Sequence, residues 1–215
     1  MDAAHAARYS KGKDIRRRRI LQEAQWTLSD GPNALSYRKL ARAAGVTVPT
    51  IYNLVGNKEA LYRALSHEIL DAIENEMLRA ESADPLEQLL APTRTVLRLV
   101  SKKPAVVRAG YIGFDELYRS SDRDAHYEVR KRRVGLQEQA IQGLVSANLL
   151  RGEVPAKALE SLLSQSATQN GRDWAFKVVS AQQLRRNLLI GAYTVLLSDA
   201  TPVLRTLIVD LMNEL

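Results

Sequence analysis

The sequence predicts an all-α chain, and three observations carry that prediction. Apolar residues recur at intervals of three and four with no sustained period-two segment. Helix starts of the Ser/Thr/Asp-capped or proline-led kind precede most of the periodic stretches, and glycine or proline closes several of them. The composition, 46% hydrophobic and 26% charged over 215 residues, is that of a folded soluble protein with room for one large domain or two small ones.

A first helix is expected over 14–29, with Ile20, Ala24 and Leu28 on one face, ended by Asp30-Gly31-Pro32. A second covers 36–44, with Ser36 as N-cap and Gly45 just past its end. The third, over 47–53, is capped by Thr47 and tolerates Pro49 in its first turn, where no helical bond is lost. Asn57 opens a long fourth helix reaching about position 81. Asp84-Pro85-Leu86-Glu87 starts another, which Pro92 is expected to kink or split. Further helices are expected over 105–119, 124–149, 156–178, 181–198 and 202–214.

Charge is unevenly distributed. Residues 1–62 hold eleven Lys/Arg and five Asp/Glu, a net of +6, which leaves only +1 of the +7 total for the other 153 residues. Localised positive charge suits phosphate neutralisation, and it equally suits a solvated basic tail. The first 13 residues, polar and basic, have no apolar run of the signal-peptide kind and are expected to form a flexible arm. The uncharged run 188–197 is about half of a membrane span. The absence of cysteine removes disulfides and thiolate metal sites. Histidines at 5, 67 and 126 lack ligand spacing, and no nucleophile-elbow, Walker or dinucleotide glycine motif occurs. Neither an enzyme nor a cofactor or metal is expected, and the cytoplasm is the expected compartment.

The segment 36–53 reads helix, glycine turn, short helix. Small Ala41 and Ala44 allow close packing, while Val46 and Ile51 point inward with Leu40 and Ala24. That is a helix-turn-helix, whose second helix enters the major groove. Helical geometry leaves Val48, Pro49 and Asn53 facing out, with Thr50 and Tyr52 at the edges.

The run 17–62 resembles the DNA-binding module of the TetR family. The resemblance rests on Ile20-Leu21-x-x-Ala24, on Leu40-Ala41-x-x-Ala44-Gly45-Val46-Thr47, on Thr50-Ile51-Tyr52 and on Asn57-Lys58-Glu59-x-Leu61. It implies an N-terminal three-helix head over 14–56 and a helical ligand-sensing and dimerising body over 57–215. It also implies phosphate contacts from Ser36, Thr50, Tyr52 and Lys58, with Thr47 capping beside them. Tyr37, Arg38, Val48, Pro49 and Asn53 become the candidates for base edges or thymine methyls, Arg38 suiting guanine and Asn53 adenine. Two positions depart from the family pattern: Leu54-Val55 stand where an aromatic or histidine and a phenylalanine are usual. Within Arg16-Arg17-Arg18-Arg19, Arg17 and Arg18 are taken as DNA contacts, either through a minor groove or, as part of a solvated tail, not at all.

For the body the resemblance implies architecture only. Two late helices, near 156–178 and 181–198, would pair across a twofold axis. The apolar run 188–197 fits such an interface, with Gly191 and Ala192 permitting close approach, and fits a central core helix as well. A small-molecule pocket is assigned to Tyr111, Phe114, Tyr118, Gln165, Asn170 and Trp174, and the aromatic stripe among them also suits plain core packing. The expected function is a ligand-responsive repressor that binds a palindromic double-stranded DNA operator as a homodimer on the nucleoid. The alternatives are a broad-specificity DNA binder acting through the basic arm and a helical protein-interaction scaffold.

Overall fold

The computed structural model describes residues 3–77, 84–120 and 137–215. Its first helix, α1, spans Ala3–Leu28. It begins well before position 14, so the segment expected to be an arm is continuous with the helix. Ala3, Ala4, Ala6, Ala7, Arg8, Lys11 and Lys13 are strong helix formers, and Gly12 alone opposes them. Further along α1, Ile20, Leu21, Ala24 and Leu28 are buried on one stripe.

After a 3-10 turn, Pro32–Ala34, come α2 (Tyr37–Ala43) and α3 (Val48–Leu54). The Ser36 hydroxyl accepts from the Lys39 amide at 3.2 Å, and that of Thr47 from the Thr50 amide at 3.3 Å. Gly45 between them has φ +60, and a Cβ there would lie 2.8 Å from the Arg19 guanidinium. Glycine is required at that turn on both counts. Helix α4 (Lys58–Met77) starts where Asn57 Oδ1 accepts from the Ala60 amide at 2.9 Å.

Helix α5 (Pro85–Lys102) is opened by Asp84, whose carboxylate accepts from the Leu86 amide at 2.9 Å. Pro92 does not split it. Buried Leu86, Leu89 and Leu90 on one side and Val96, Leu99 and Val100 on the other anchor both halves, which offsets one missing ladder bond. Helix α6 (Pro104–Arg119) lies against α4 at two glycines. A Cβ at Gly110 would stand 2.5 Å from Ile69 Cγ2, and one at Gly113 would stand 2.7 Å from the Tyr62 carbonyl oxygen.

Then follow α7 (Glu138–Ser146), α8 (Ala156–Ala175), α9 (Ala181–Leu197) and α10 (Pro202–Asn213). The expected continuation of α4 to 81 and the start of the 124–149 helix, with His126 and Tyr127, lie outside the described residues. Ser180 and Gln183 form a reciprocal capping box at the start of α9.

The stretch 188–197 is not buried all round in a single chain: Thr194 is exposed, and Ile190, Gly191, Val195 and Leu197 are half-buried. The small Gly191 serves a contact inside the chain, since a methyl there would run into the Ser166 hydroxyl of α8.

One apolar cluster joins the head to the near half of the body, running from Ile20, Leu40 and Ile51 through Leu61 and Leu65 to Ile112, Trp174 and Leu184. Each such fully buried Leu or Ile contributes about 1.5–3 kcal/mol. A second cluster fills the far half with Leu89, Ile141, Leu159, Leu196 and Ile208 among others.

Asp199 locks that far end. Fully buried, it accepts from the amides of Gly152 at 2.8 Å, Glu153 at 3.1 Å and Val154 at 3.2 Å, tying the turn before α8 to the turn before α10. Asp199→Ala orphans those donors and is expected to lower stability by about 2–4 kcal/mol. Thermal denaturation checks this, and an unchanged midpoint would mean the turns hold without it.

Candidate nucleic-acid interface and effector cavity

The outer surface of α3 is built on Ile51, fully buried, and Val46, half-buried against the same core. Pro49 and Asn53 are exposed and Tyr52 is 54% exposed, as helical spacing predicts. Val48 departs from expectation: it is half-buried and packs against the head core, because its place in the first turn overhangs α2. Thr50 shares a 2.8 Å hydroxyl contact with Thr47, so one proton of the pair remains for an outside acceptor.

Tyr37 is not free to read a base. Its hydroxyl donates to the Gly56 carbonyl at 3.0 Å, and its ring lies 5.1 Å from that of Tyr52. Burial, with the neighbouring Tyr52 adding to it, pushes the Tyr37 phenol up to about 12. The ring props Tyr52, whose hydroxyl stays exposed. Ser36 and Arg38 are exposed at the start of α2. Lys58, in the first turn of α4, is exposed with its ammonium 5.5 Å from the Tyr62 ring centroid.

Beside α3 runs an open groove lined by Lys13, Asp14, Arg16 and Arg17 of α1 and by Thr50, Asn53 and Leu54. Arg17 therefore borders the exposed face of α3, whereas Arg18 is exposed outside the groove. Lys13 and Arg16, not singled out from the sequence as contacts, take the place given to Arg18. The signal was available: Lys13, Arg17, Ile20 and Ala24 are one helical stripe, whose buried part faces the head core and whose N-terminal extension must flank α3. Leu54 and Val55 are half-buried against the core, which accounts for their departure from the family pattern without supplying a phosphate donor. Gln25 on α1 donates to the Glu68 carboxylate on α4, and burial pushes that carboxyl up.

In the body a small, partly open cavity of about 60 Å3 lies among α4, α5, α6, α8 and α9. Ile73, Pro92, Thr93, Val96, Tyr111, Gln137, Leu188 and Ala192 line it, with Leu163, Ser164, Ser166, Ala167 and Thr168 forming the α8 wall. The cavity opens on Pro92, in the middle of α5. A smaller one, about 30 Å3, adjoins α4 through Ser66, Ile69 and Leu70 and shares Ile73 and Tyr111 with the first. Tyr111 thus stands between the two. A methyl at Gly171 would run into its ring, so glycine at 171 is what admits that ring against α8.

Of the six pocket candidates, Tyr111 lines both cavities and Phe114 the smaller one. The others are displaced from it. Tyr118 is 71% exposed, on the outer face of α6 beside the buried Leu117. Gln165 is exposed and donates to Ser161 Oγ at 3.0 Å, and Asn170 donates to the Ser166 carbonyl at 2.9 Å. Trp174 is 5% exposed and belongs to the core: the Arg108 guanidinium lies 4.5 Å over its ring and donates to the Ala175 carbonyl at 2.7 Å. Asp115, also buried, pairs with Arg172 at 2.7 Å and Arg119 at 3.1 Å, clamping α6 to α8. Sequence reasoning missed Thr93, Ser164 and Thr168 because isolated hydroxyls on helices carry no spacing signal.

Among the described residues a three-helix head with an exposed short second helix, a helix-turn-helix unit, is set on a helical body. Residues 28–65 match the family model described as bacterial regulatory proteins, tetR family, and in this head the chain is similar to that family. It is 33% identical over 92 residues to an uncharacterized HTH-type transcriptional regulator of Mycobacterium tuberculosis, covering 41% of this chain. The chain spans less than half of that relative, 45% of its length. The fold is shared with TylP, a TetR regulator from Streptomyces fradiae, at TM-score 0.64 and 18% identity over 94% of this chain and 86% of that one. It is shared likewise with AibR, solved with isovaleryl coenzyme A and operator DNA, at TM-score 0.60 and 23% identity over 79% of this chain and 94% of that one. No helix among the described residues is long and apolar enough to cross a membrane.

Proposed function

We propose that the chain is a ligand-responsive transcriptional repressor that binds a palindromic operator as a homodimer. The observation that carries this reading is the pairing of an exposed α3 with a basic flank: Lys13, Arg16 and Arg17 border Thr50 and Asn53 in one groove. Base-edge groups on α3 would then lie between phosphate-seeking cations, the arrangement that separates positioning from readout. Arg38, Pro49 and Asn53 face the bases, and Arg17, Ser36, Thr50, Tyr52 and Lys58 the phosphates, with Tyr37 and Thr47 holding them in place.

One short recognition helix reads few bases, so two heads on half-sites roughly 34–36 Å apart are needed. Helices α8 and α9 supply the dimer contact, Leu162 being 49% exposed on α8 and Thr194 exposed on α9. The body, 57–215, holds the effector, and the repressor works without catalysis, in the cytoplasm on the nucleoid. AibR, of the same fold, was solved with an acyl coenzyme A and operator DNA together.

Selection of bound sequences from a random duplex pool at two salt concentrations tests the reading. A palindrome with half-sites about one turn apart is the expected outcome. Salt-sensitive binding with no enriched sequence would overturn it in favour of a broad-specificity DNA binder using the basic face of α1. Within the confirmed site, Lys58→Ala and Tyr52→Ala are each expected to weaken operator binding several-fold, roughly 1 kcal/mol, while the dimer persists in sedimentation. Unchanged affinity would remove those two from the phosphate contacts.

A further inference from the structure

We propose that Tyr37 is a positioning residue whose two parts place two separate phosphate contacts, its ring setting Tyr52 on α3 and its hydroxyl setting Lys58 on α4; this rests on the reading of the chain as an operator-binding regulator.

Tyr37 stands where three elements meet. It is the first residue of α2, half-buried against the head core, and follows Ser36, whose hydroxyl caps the helix at the Lys39 amide. A ring rooted in a capped, core-packed turn has few rotamers left, so its far end is a fixed point for whatever leans on it.

The ring serves α3. It lies 5.1 Å from the Tyr52 ring at an interplanar angle of 58°, a spacing and tilt at which aromatic rings attract. Tyr52 is 54% exposed. Released from Tyr37, its side chain would have to be ordered at the moment of binding, and that ordering subtracts from affinity.

The hydroxyl serves the turn between α3 and α4. It donates to the Gly56 carbonyl at 3.0 Å. Gly56 has φ +102, and glycine accepts many other conformations, so the turn is held by its hydrogen bonds and not by its own dihedral preference. Those bonds grip it from both sides, because the Gly56 amide also donates to the Ile51 carbonyl at 3.2 Å. Gly56 is only half-buried, which leaves a carbonyl released from Tyr37 free to turn toward water. Two residues on, Lys58 is exposed in the first turn of α4, just past the Asn57 cap. The setting of the Gly56 peptide therefore decides where α4 starts, and with it where the Lys58 ammonium stands relative to α3.

The two contacts can be told apart. Lys58 is charged and displaces a counterion from the phosphate it meets, whereas the Tyr52 hydroxyl is neutral and displaces none. The test uses the full chain and a duplex bearing the palindrome recovered by selection, titrated at several salt concentrations. Tyr37→Phe keeps the ring and loses the hydroxyl. It is expected to weaken binding about three- to tenfold. It should also flatten the slope of log affinity against log salt by roughly 0.9, the value for one phosphate. Lys58→Ala should flatten the slope equally, and the double variant no further. Tyr37→Leu and Tyr37→Met, which remove the ring as well, are expected to lose about threefold more at the slope of Tyr37→Phe, and to leave Tyr52→Ala with no additional effect. Hydrogen exchange across residues 37–54 checks that the head of each variant is intact.

A wild-type slope in Tyr37→Phe overturns the proposal even where affinity falls, since a loss of folded heads lowers affinity without changing how many phosphates are neutralised. So does additivity of Tyr37→Phe with Lys58→Ala, or of Tyr37→Leu with Tyr52→Ala. A palindrome bound by the wild type together with any of these results removes only the role of Tyr37. No palindrome for the wild type removes the regulator reading, and this role with it.

Discussion

Ile51→Ala is expected to disable DNA binding without any change on the DNA-facing surface. Ile51 is fully buried beneath α3, against a core that includes Ile20, Ala24 and Leu40. Truncation leaves a cavity in a three-helix head whose apolar core is small, and a buried Ile→Ala change costs about 2–5 kcal/mol. The exposed groups of α3 depend on that anchor for their orientation, so operator affinity should fall by at least roughly tenfold, the binding-competent fraction being reduced in proportion. Asn53→Ala is the contrast: exposed, it should leave the thermal midpoint in place and alter base preference. Hydrogen exchange across residues 37–54 and an operator titration check the pair. Protection in α3 that survives Ile51→Ala would mean the head is held by its junction with α4 instead.

Gly113→Ala is expected to destabilise, against the usual benefit of replacing a helical glycine. An alanine in mid-helix is ordinarily favourable by about 0.5–1 kcal/mol. At 113 the new methyl would stand 2.7 Å from the Tyr62 carbonyl oxygen and 3.0 Å from Ser66 Oγ. The first is backbone and cannot rotate away, so relief requires α6 to back off from α4, with a net loss of about 1–3 kcal/mol. Gly143→Ala in α7 is the internal control. Its methyl would meet Pro85 at an ordinary 3.5 Å, and the substitution should be neutral or stabilising. Opposite signs for the two midpoints are the expected result. A stabilised Gly113→Ala would show that the α4–α6 contact yields easily, and would remove the basis for treating the two helices as one body.

How much of this was legible in advance depended on whether the signal was local. Ser36, Thr47, Asn57 and Asp84 announce helix starts because a short oxygen-bearing side chain in that place satisfies an otherwise orphaned amide, and each of them caps in the structure. The head was readable for the same reason: its turn, caps and buried stripe all lie within a few dozen residues. Lys13 and Arg16 were overlooked since a basic run suggests a tail, whereas the alanines before it make a helix that carries these side chains to the groove. The hydrogen bond of the Tyr37 hydroxyl was not legible because its partner, the Gly56 carbonyl, lies nineteen residues away.

In the body the sequence offered aromatics, of which Tyr111 and Phe114 line cavities and the others do not. Trp174 and Tyr118 went to opposite fates, core and solvent, set by neighbours on other helices. The cavity is instead defined by where Pro92, Tyr111 and Ala192 converge from three helices, a tertiary fact with no local spelling.

The uninterrupted apolar core between head and body has a mechanical consequence. The core is continuous across position 57, so a tilt of α4 is carried into the head. That helix is 20 residues, hence about 30 Å from end to end. Ile73, close to its distal end, lines the body's cavity, and Lys58 stands at its other end. Tilting such a rod by about 5° displaces its tip by roughly 2–3 Å, and a twofold partner moving in the opposite sense doubles the change in separation. A half-site mismatch of several ångströms is comparable to the rise between successive base pairs, so a tilt too small to disturb the fold is large enough to put one head out of register with its groove.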